Sequence, residues 1–239
     1  MKKKLLILMN VALSMLCFSQ TENIDWDYPI KPGTEEWANF KSGQEMIDTC
    51  QIPENILKNL STSRLAHLYL NYPLLGDILF FDNYQEGFER ISANFNGFSE
   101  LFEREDAGTE LLKLYQEFDL ESFKKSNGKE KTNVFYDMCI DIVIAQPIFL
   151  EKLERQQETY LINESVNRLS MRQKIGDSSY RQRTTAVILS RILTKNGAAL
   201  KEVNQFGKDK YLLLNNYYIL ENVDMIEKIK LQAIDYLRQ

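Results

Sequence analysis

Residues 71–83 read NYPLLGDILFFDN, and the fold class turns on how this stretch is punctuated. Asn71 is a helix stop, because Asn tolerates the left-handed backbone conformation. Pro73 fits the first position of a new helix, where its missing N–H costs nothing. Leu74, Leu75, Ile78 and Leu79 then fall on one helical face. Asp82 or Asn83 ends the segment, and Asn83 with Glu86 three residues on has the form of a capping box. The stretch predicts a short helix between two joints, with Tyr72, Phe80 and Phe81 packed into the seams between neighbouring helices.

The same punctuation recurs on both sides. Thr34 stands at an N-cap, with Glu35 and Glu36 where carboxylates complement the positive end of the helix dipole. Trp37, Phe40, Met46 and Ile47 supply apolar positions around a break at Ser42-Gly43. Pro53 precedes the apolar face of Ile56, Leu57 and Leu60, and Ser61-Thr62 caps the helix carrying Leu65, Leu68, Tyr69 and Tyr72. Tyr84, Phe88, Ile91 and Phe95 make the next face, with Asn96-Gly97 as its stop. Phe98, Leu101 and Phe102 follow, and Asp106 caps a helix with Leu111, Leu112, Tyr115 and Phe118. Helices this short are marginal alone and must be held by packing. The expectation is an all-α fold of successive short antiparallel helices, as an α-solenoid-like array or a compact helical bundle. No strict self-repeat occurs.

The second half reads as longer helices. Residues 121–133 are polar and charged, a loop, and Val134 to Ala145 is strongly apolar. Pro147 begins a helix through Phe149, Leu153 and Tyr160 towards Leu169. Gly176 to Ser179 is a break, Tyr180 to Thr194 a further helix, and Asn196-Gly197 a C-terminal stop. YLLLNNYYIL (211–220) reads as helix rather than hairpin, since neither Asn215 nor Asn216 is followed by the Gly a tight hairpin favours. Val223, Ile226, Ile229, Ala233 and Leu237 define a last amphipathic helix. Residues 20–33 form an extended lead-in to a single helical domain, 34–239, with lobes at 34–120 and 131–239.

The chain begins MKKKLLILMNVALSMLCFSQ, a positive n-region before an apolar stretch too short to span a bilayer. This is the pattern of a secretory signal peptide over residues 1–19, with cleavage after Ser19. Cys17 as a lipidation site is the alternative, but the bulky Leu16 before it does not suit a lipobox. The expected product is exported to the periplasm or beyond and is not an integral membrane protein. Its charge is uneven: residues 20–167 carry 13 basic and 27 acidic side chains, residues 168–239 carry 13 and 7. Either the two halves face each other, or solvated helix faces happen to differ in charge, or the basic part holds an anion.

Candidate chemistry is sparse. His67 is the only histidine and lies beside an apolar helix face, which suits a helix-edge residue better than a catalytic base. No phosphate-cradling glycine loop, calcium loop or zinc spacing occurs, so no cofactor and no metal are expected. An oxidising compartment permits one disulfide, with Cys50 and Cys139 as the candidate pair. Carboxylates are the remaining catalytic currency: Glu103, Glu105, Asp106 and Glu110 in one cluster, Glu151, Glu154 and Glu158 in another, and Glu164 beside Ser165. Paired carboxylates can hydrolyse glycosides across a cleft, yet both clusters also read as solvated helix faces. In the basic run, Arg172, Lys174, Tyr180, Arg181 and Arg183 flank a loop and are the candidate binding residues for a carboxylate, sulfate or phosphate. Their alternative is pairing with the acidic first half. Nucleic acid is disfavoured by the acidic total and the export signal.

YPIKPGTEEW (28–37), CQIPENILKNLST (50–62), LNYPLLGDILFFDNYQEGFE (70–89), NFNGFSELFEREDA (94–107) and LLKLY (111–115) together resemble a family of exported helical proteins from Bacteroidetes. YRQRTTAVILSRIL (180–193) is similar to a later block of it. The resemblance implies the bacterial group, export and an all-helical fold. That family's function is uncharacterised, so no catalytic residue carries over. The functional expectation is a non-enzymatic module that binds a protein or peptide. Its alternatives are a carboxylate-dependent glycan or peptidoglycan hydrolase and an anion- or glycan-binding protein using residues 168–195.

Overall fold

The computed structural model describes residues 26–117, 131–177, 179–197 and 223–239. Every regular element among them is helical, as the sequence pattern requires. The expected signal segment, most of the 121–133 loop and the 211–220 stretch lie outside the described residues.

The first half is a chain of short helices: α1 (Glu35–Ala38), α2 (Gly43–Thr49), α3 (Glu54–Leu57), α4 (Thr62–Leu70), a 3₁₀ helix (Leu75–Phe80), α5 (Tyr84–Ala93), α6 (Asn96–Glu103) and α7 (Ala107–Glu117). Their starts follow from local chemistry. The side chains of Thr34, Ser42, Ser61 and Asn83 each accept a hydrogen bond from the backbone N–H three residues on. These caps satisfy donors that a helix start leaves orphaned. The lead-in is anchored by Tyr28, whose hydroxyl donates to the buried Leu68 carbonyl at 2.7 Å. Tyr28, Tyr69, Tyr72, Phe95 and Phe98 form one aromatic cluster around that anchor.

The stretch 71–83 departs from expectation. Asn71 does close α4, but at φ −105°, so it is not left-handed. Pro73 lies in a turn, and the helix that follows is 3₁₀ rather than α. In a 3₁₀ helix residues i and i+3 eclipse. Leu75 and Ile78 therefore point inward together, and Phe81 behind them is half-buried. Phe80 falls off that line and is 85% exposed, so it packs no seam. Two further boundaries differ. Asn96-Gly97 opens α6 instead of stopping α5, because the Asn96 side chain is taken up by the backbone of Ile52, donating to its carbonyl and accepting from its N–H. The helix expected from Pro147 to Leu169 is two helices, because Glu154 and Gln157 form a reciprocal capping box that starts the second.

The second half comprises α8 (Lys131–Ile144), α9 (Pro147–Leu150), α10 (Arg155–Lys174), α11 (Ser179–Lys195) and α12 (Val223–Leu237). Helix α8 is the pivot. From Met138 to Ala145 every residue is buried, so it has no solvent face there. A helix apolar all round belongs inside, and α8 packs against α4, α5 and α7 on one side and α11 on the other. One core cluster runs from Tyr28 through α8 to Ala233. Gly176 and Gly197 take φ +66° and +71°, the left-handed turns that end α10 and α11.

Candidate functional site

Two residues interrupt the apolar run of α8, Asp137 and Asp141, one turn apart and both fully buried. An unpaired buried carboxylate is too costly to keep, and each is met by arginines. Arg172 donates to Asp137 and, at 2.7 Å, to Asp141. Arg168 and Arg181 reach Asp137 at 3.3 and 3.5 Å. Thr184 and Thr185 donate to Asp141 from α11, at 2.7 and 2.9 Å. Glu164 and Asp177 complete the set by pairing with Arg168 and Arg181. Three helices, α8, α10 and α11, are thus joined by charge as well as by apolar contact. Burial pushes the Asp137 carboxyl up, against the pull of Arg172. Burial alone would lower the Arg172 guanidinium, but Asp141 and Asp137 beside it hold it above its ordinary value.

The candidate binding residues are therefore divided. Arg172 and Arg181 point into this network and are buried, which removes them from any surface anion site. Lys174 and Tyr180 are exposed, and Arg183 lies over the Tyr180 ring at 5.0 Å. The structure does not gather the five into one pocket. It shows instead the alternative use of the basic run. Arg191 donates to the Ala145 carbonyl at the end of α8, and Lys195 to the Leu150 carbonyl at the end of α9 and to Glu158. Arg168 donates to the Tyr115 carbonyl near the end of α7. Each fills a carbonyl that a helix end leaves orphaned, where a cation is also favoured by the helix dipole.

The carboxylate clusters are mostly surface. Glu103, Glu105, Asp106, Glu151 and Glu154 are exposed, and Glu110 pairs with Lys113. Glu158 faces inward to Lys195, and Glu164 is bound to Arg168. A cleft of 340 Å³ between α3 and α6 is lined by Glu54, Leu57, Lys58, Asn96, Ser99, Glu100 and Glu103. Burial raises the Glu100 carboxyl, but hydrogen bonds from Lys58 and Arg104 outweigh it and hold it below the usual carboxylate range. His67 is half-buried on α4. Among the described residues no group of His, Cys, Asp and Glu could hold a metal.

The candidate disulfide is not formed. Cys50 and Cys139 are both free and buried. Cys50 sits in the aromatic cluster near Tyr28 and Tyr72, whereas Cys139 is within α8 beside the network, so each thiol fills its own place in the core.

The exposed apolar groups tell a different story. Leu79 is 44% and Phe80 85% exposed, side by side on the 3₁₀ helix. Tyr84, half-buried at the start of α5, lies near Tyr180 and Arg183 of α11. No family model matches the chain, and no characterised protein or solved structure matches it either. No helix among the described residues is long and apolar enough to cross a membrane.

Proposed function

We propose that the chain is an exported helical protein that acts by binding a protein or peptide, and that Leu79 and Phe80 form the contact. The single observation that carries this reading is Phe80, the most exposed large apolar side chain among the described residues, with Leu79 beside it. Burying such a side chain is worth roughly 1.5–3 kcal/mol, and aromatic anchors of this kind dominate protein interfaces. The signal-like first 19 residues and the resemblance to exported Bacteroidetes proteins support the export part of the reading.

Two other readings are less well supported. A glycosidase needs one carboxyl held protonated near neutrality. Glu54, Glu100 and Glu103 share a cleft, but Glu100 is held low by Lys58 and Arg104, the wrong direction for a general acid. Capture of an anion by the basic run is opposed by the inward pairing of Arg172 and Arg181.

The test is capture of envelope proteins from the source cell by immobilised chain lacking residues 1–19. Wild type should retain a discrete partner that Phe80→Ser loses and Leu231→Ser keeps. Equal capture by all three, or turnover of peptidoglycan by the wild type, would overturn the reading.

A further inference from the structure

Between its two exposed end residues, Arg155 and Lys174, helix α10 is turned inside out in charge. That middle stretch carries four charged residues, Glu158, Glu164, Arg168 and Arg172. Glu158, Arg168 and Arg172 are buried, and Glu164 is half-buried against Arg168. Between those ends the residues left to solvent are Gln156, Thr159, Tyr160, Asn163, Asn167 and Ser170, none of them charged. An ordinary surface helix does the reverse, placing its charges outward. The later helix α12 obeys that rule, exposing Asp224, Lys228 and Asp235.

Gln156, Tyr160, Asn163 and Asn167 are spaced by four, three and four residues, so they form one row down the helix. The row is about 16 Å long. Thr159 and Ser170 turn their hydroxyls back to the carbonyls of Arg155 and Val166. Asn163 donates to Thr159. Gln156, Tyr160 and Asn167 are left with side-chain donors and acceptors facing solvent.

The chemistry of this face selects its occupant by elimination. A nucleic acid or an anionic membrane needs a row of cations, and the row has none; the exposed cations of α10 are single residues at its two ends, Arg155 and Lys174. A protein partner, or a second copy through a helical seam, needs an apolar centre, and Tyr160 is the only large apolar-bodied side chain in it. A neutral polyhydroxyl ligand needs amide and hydroxyl groups that both donate and accept, a ring to lie against, and no charge to desolvate. We propose that the outer face of α10 binds a neutral linear glycan, with Tyr160 as the stacking platform and Gln156, Asn163 and Asn167 as the hydrogen-bonding groups. This site is separate from the contact around Phe80 and does not depend on it.

Native gel electrophoresis in gels containing hydroxyethyl cellulose, xyloglucan, galactomannan or laminarin tests the proposal, with dextran sulfate as the charged control. At least one neutral polysaccharide should retard the protein, and added salt should not relieve the retardation. Tyr160→Ala should abolish it, and Asn167→Leu should weaken it about tenfold, as expected for loss of a central contact. Both positions are exposed, so circular dichroism and the melting temperature should match wild type. Retardation by dextran sulfate alone, by no polysaccharide, or equally in Tyr160→Ala would overturn the proposal. So would a dimer in sedimentation that Tyr160→Ala dissociates, since the face would then belong to a second copy.

Discussion

The guanidinium of Arg168 lies 3.9 Å from the centroid of the Tyr115 ring and donates a hydrogen bond to the carbonyl of that same residue. One side chain of α10 thereby closes the end of α7, covers an aromatic face, and neutralises Asp137 of α8. Arg168→Met removes the charge while keeping much of the volume. It removes the charged donor from the Tyr115 carbonyl and leaves Asp137 with one cation fewer. Breaking a buried ion pair from one side costs about 3–5 kcal/mol. Urea unfolding should show a loss of that order, and a loss no larger than that of a surface substitution would refute the assignment.

Much of the fold was legible in the sequence, because short helices announce their ends through small polar residues. Thr34, Ser61 and Asn83 were readable as caps since their side-chain oxygens have a local partner three residues on. What failed depended on distant partners. Asn96-Gly97 looks like a stop until Ile52 is seen to take up the Asn96 side chain. The run from Arg168 to Lys195 looks like an anion site until Asp137 and Asp141 are placed opposite it. The missed signal was present: two carboxylates one turn apart in an otherwise apolar helix can be kept only by buried cations. The period of the 3₁₀ helix was not legible, since Leu74, Leu75, Ile78 and Leu79 fit an α-helical face equally well.

Gly87 fixes how the 3₁₀ helix sits on α5. A Cβ at this position would stand 2.4 Å from the Ile78 carbonyl oxygen, a backbone atom that cannot swing aside. Gly87→Ala should lower stability by about 1–3 kcal/mol, as overpacking does, despite the better helix propensity of alanine. A neutral or stabilising effect in thermal unfolding would overturn the assignment of Gly87 to this contact.

Both thiols should be silent in the folded protein. Burial pushes the Cys50 thiol up to about 11 and the Cys139 thiol well above its ordinary value, so neither offers thiolate near neutrality. In chain lacking residues 1–19, and with them Cys17, Ellman's reagent should find neither thiol in native protein and both in denaturant, without prior reduction. Rapid native labelling, or a thiol count that rises only after reduction, would contradict the core placement.

Glu100 should govern part of the acid sensitivity. Although burial raises its carboxyl, Lys58 and Arg104 hold the folded value below the ordinary one. A depressed carboxylate contributes stability that is fully present above the unfolded value, about 4.3, and is lost as pH falls through the folded value. Glu100→Gln should therefore be less stable than wild type at neutral pH, and the gap should close on acidification below about pH 4. A gap that stays constant from neutral to acid would show that the ionised form makes no special contribution.

Ile78 and Phe80 sit two residues apart on one 3₁₀ helix yet should behave in opposite ways. Ile78 is fully buried, so Ile78→Ala deletes core volume and should cost about 2–5 kcal/mol. Phe80 is 85% exposed, so Phe80→Ser should change stability by no more than about 0.5 kcal/mol. A side chain that contributes nothing to the fold and remains large, apolar and outward is what a contact residue requires. If Phe80→Ser instead destabilises the chain as much as Ile78→Ala, then Phe80 is a packing residue and the surface around it has no claim to a partner.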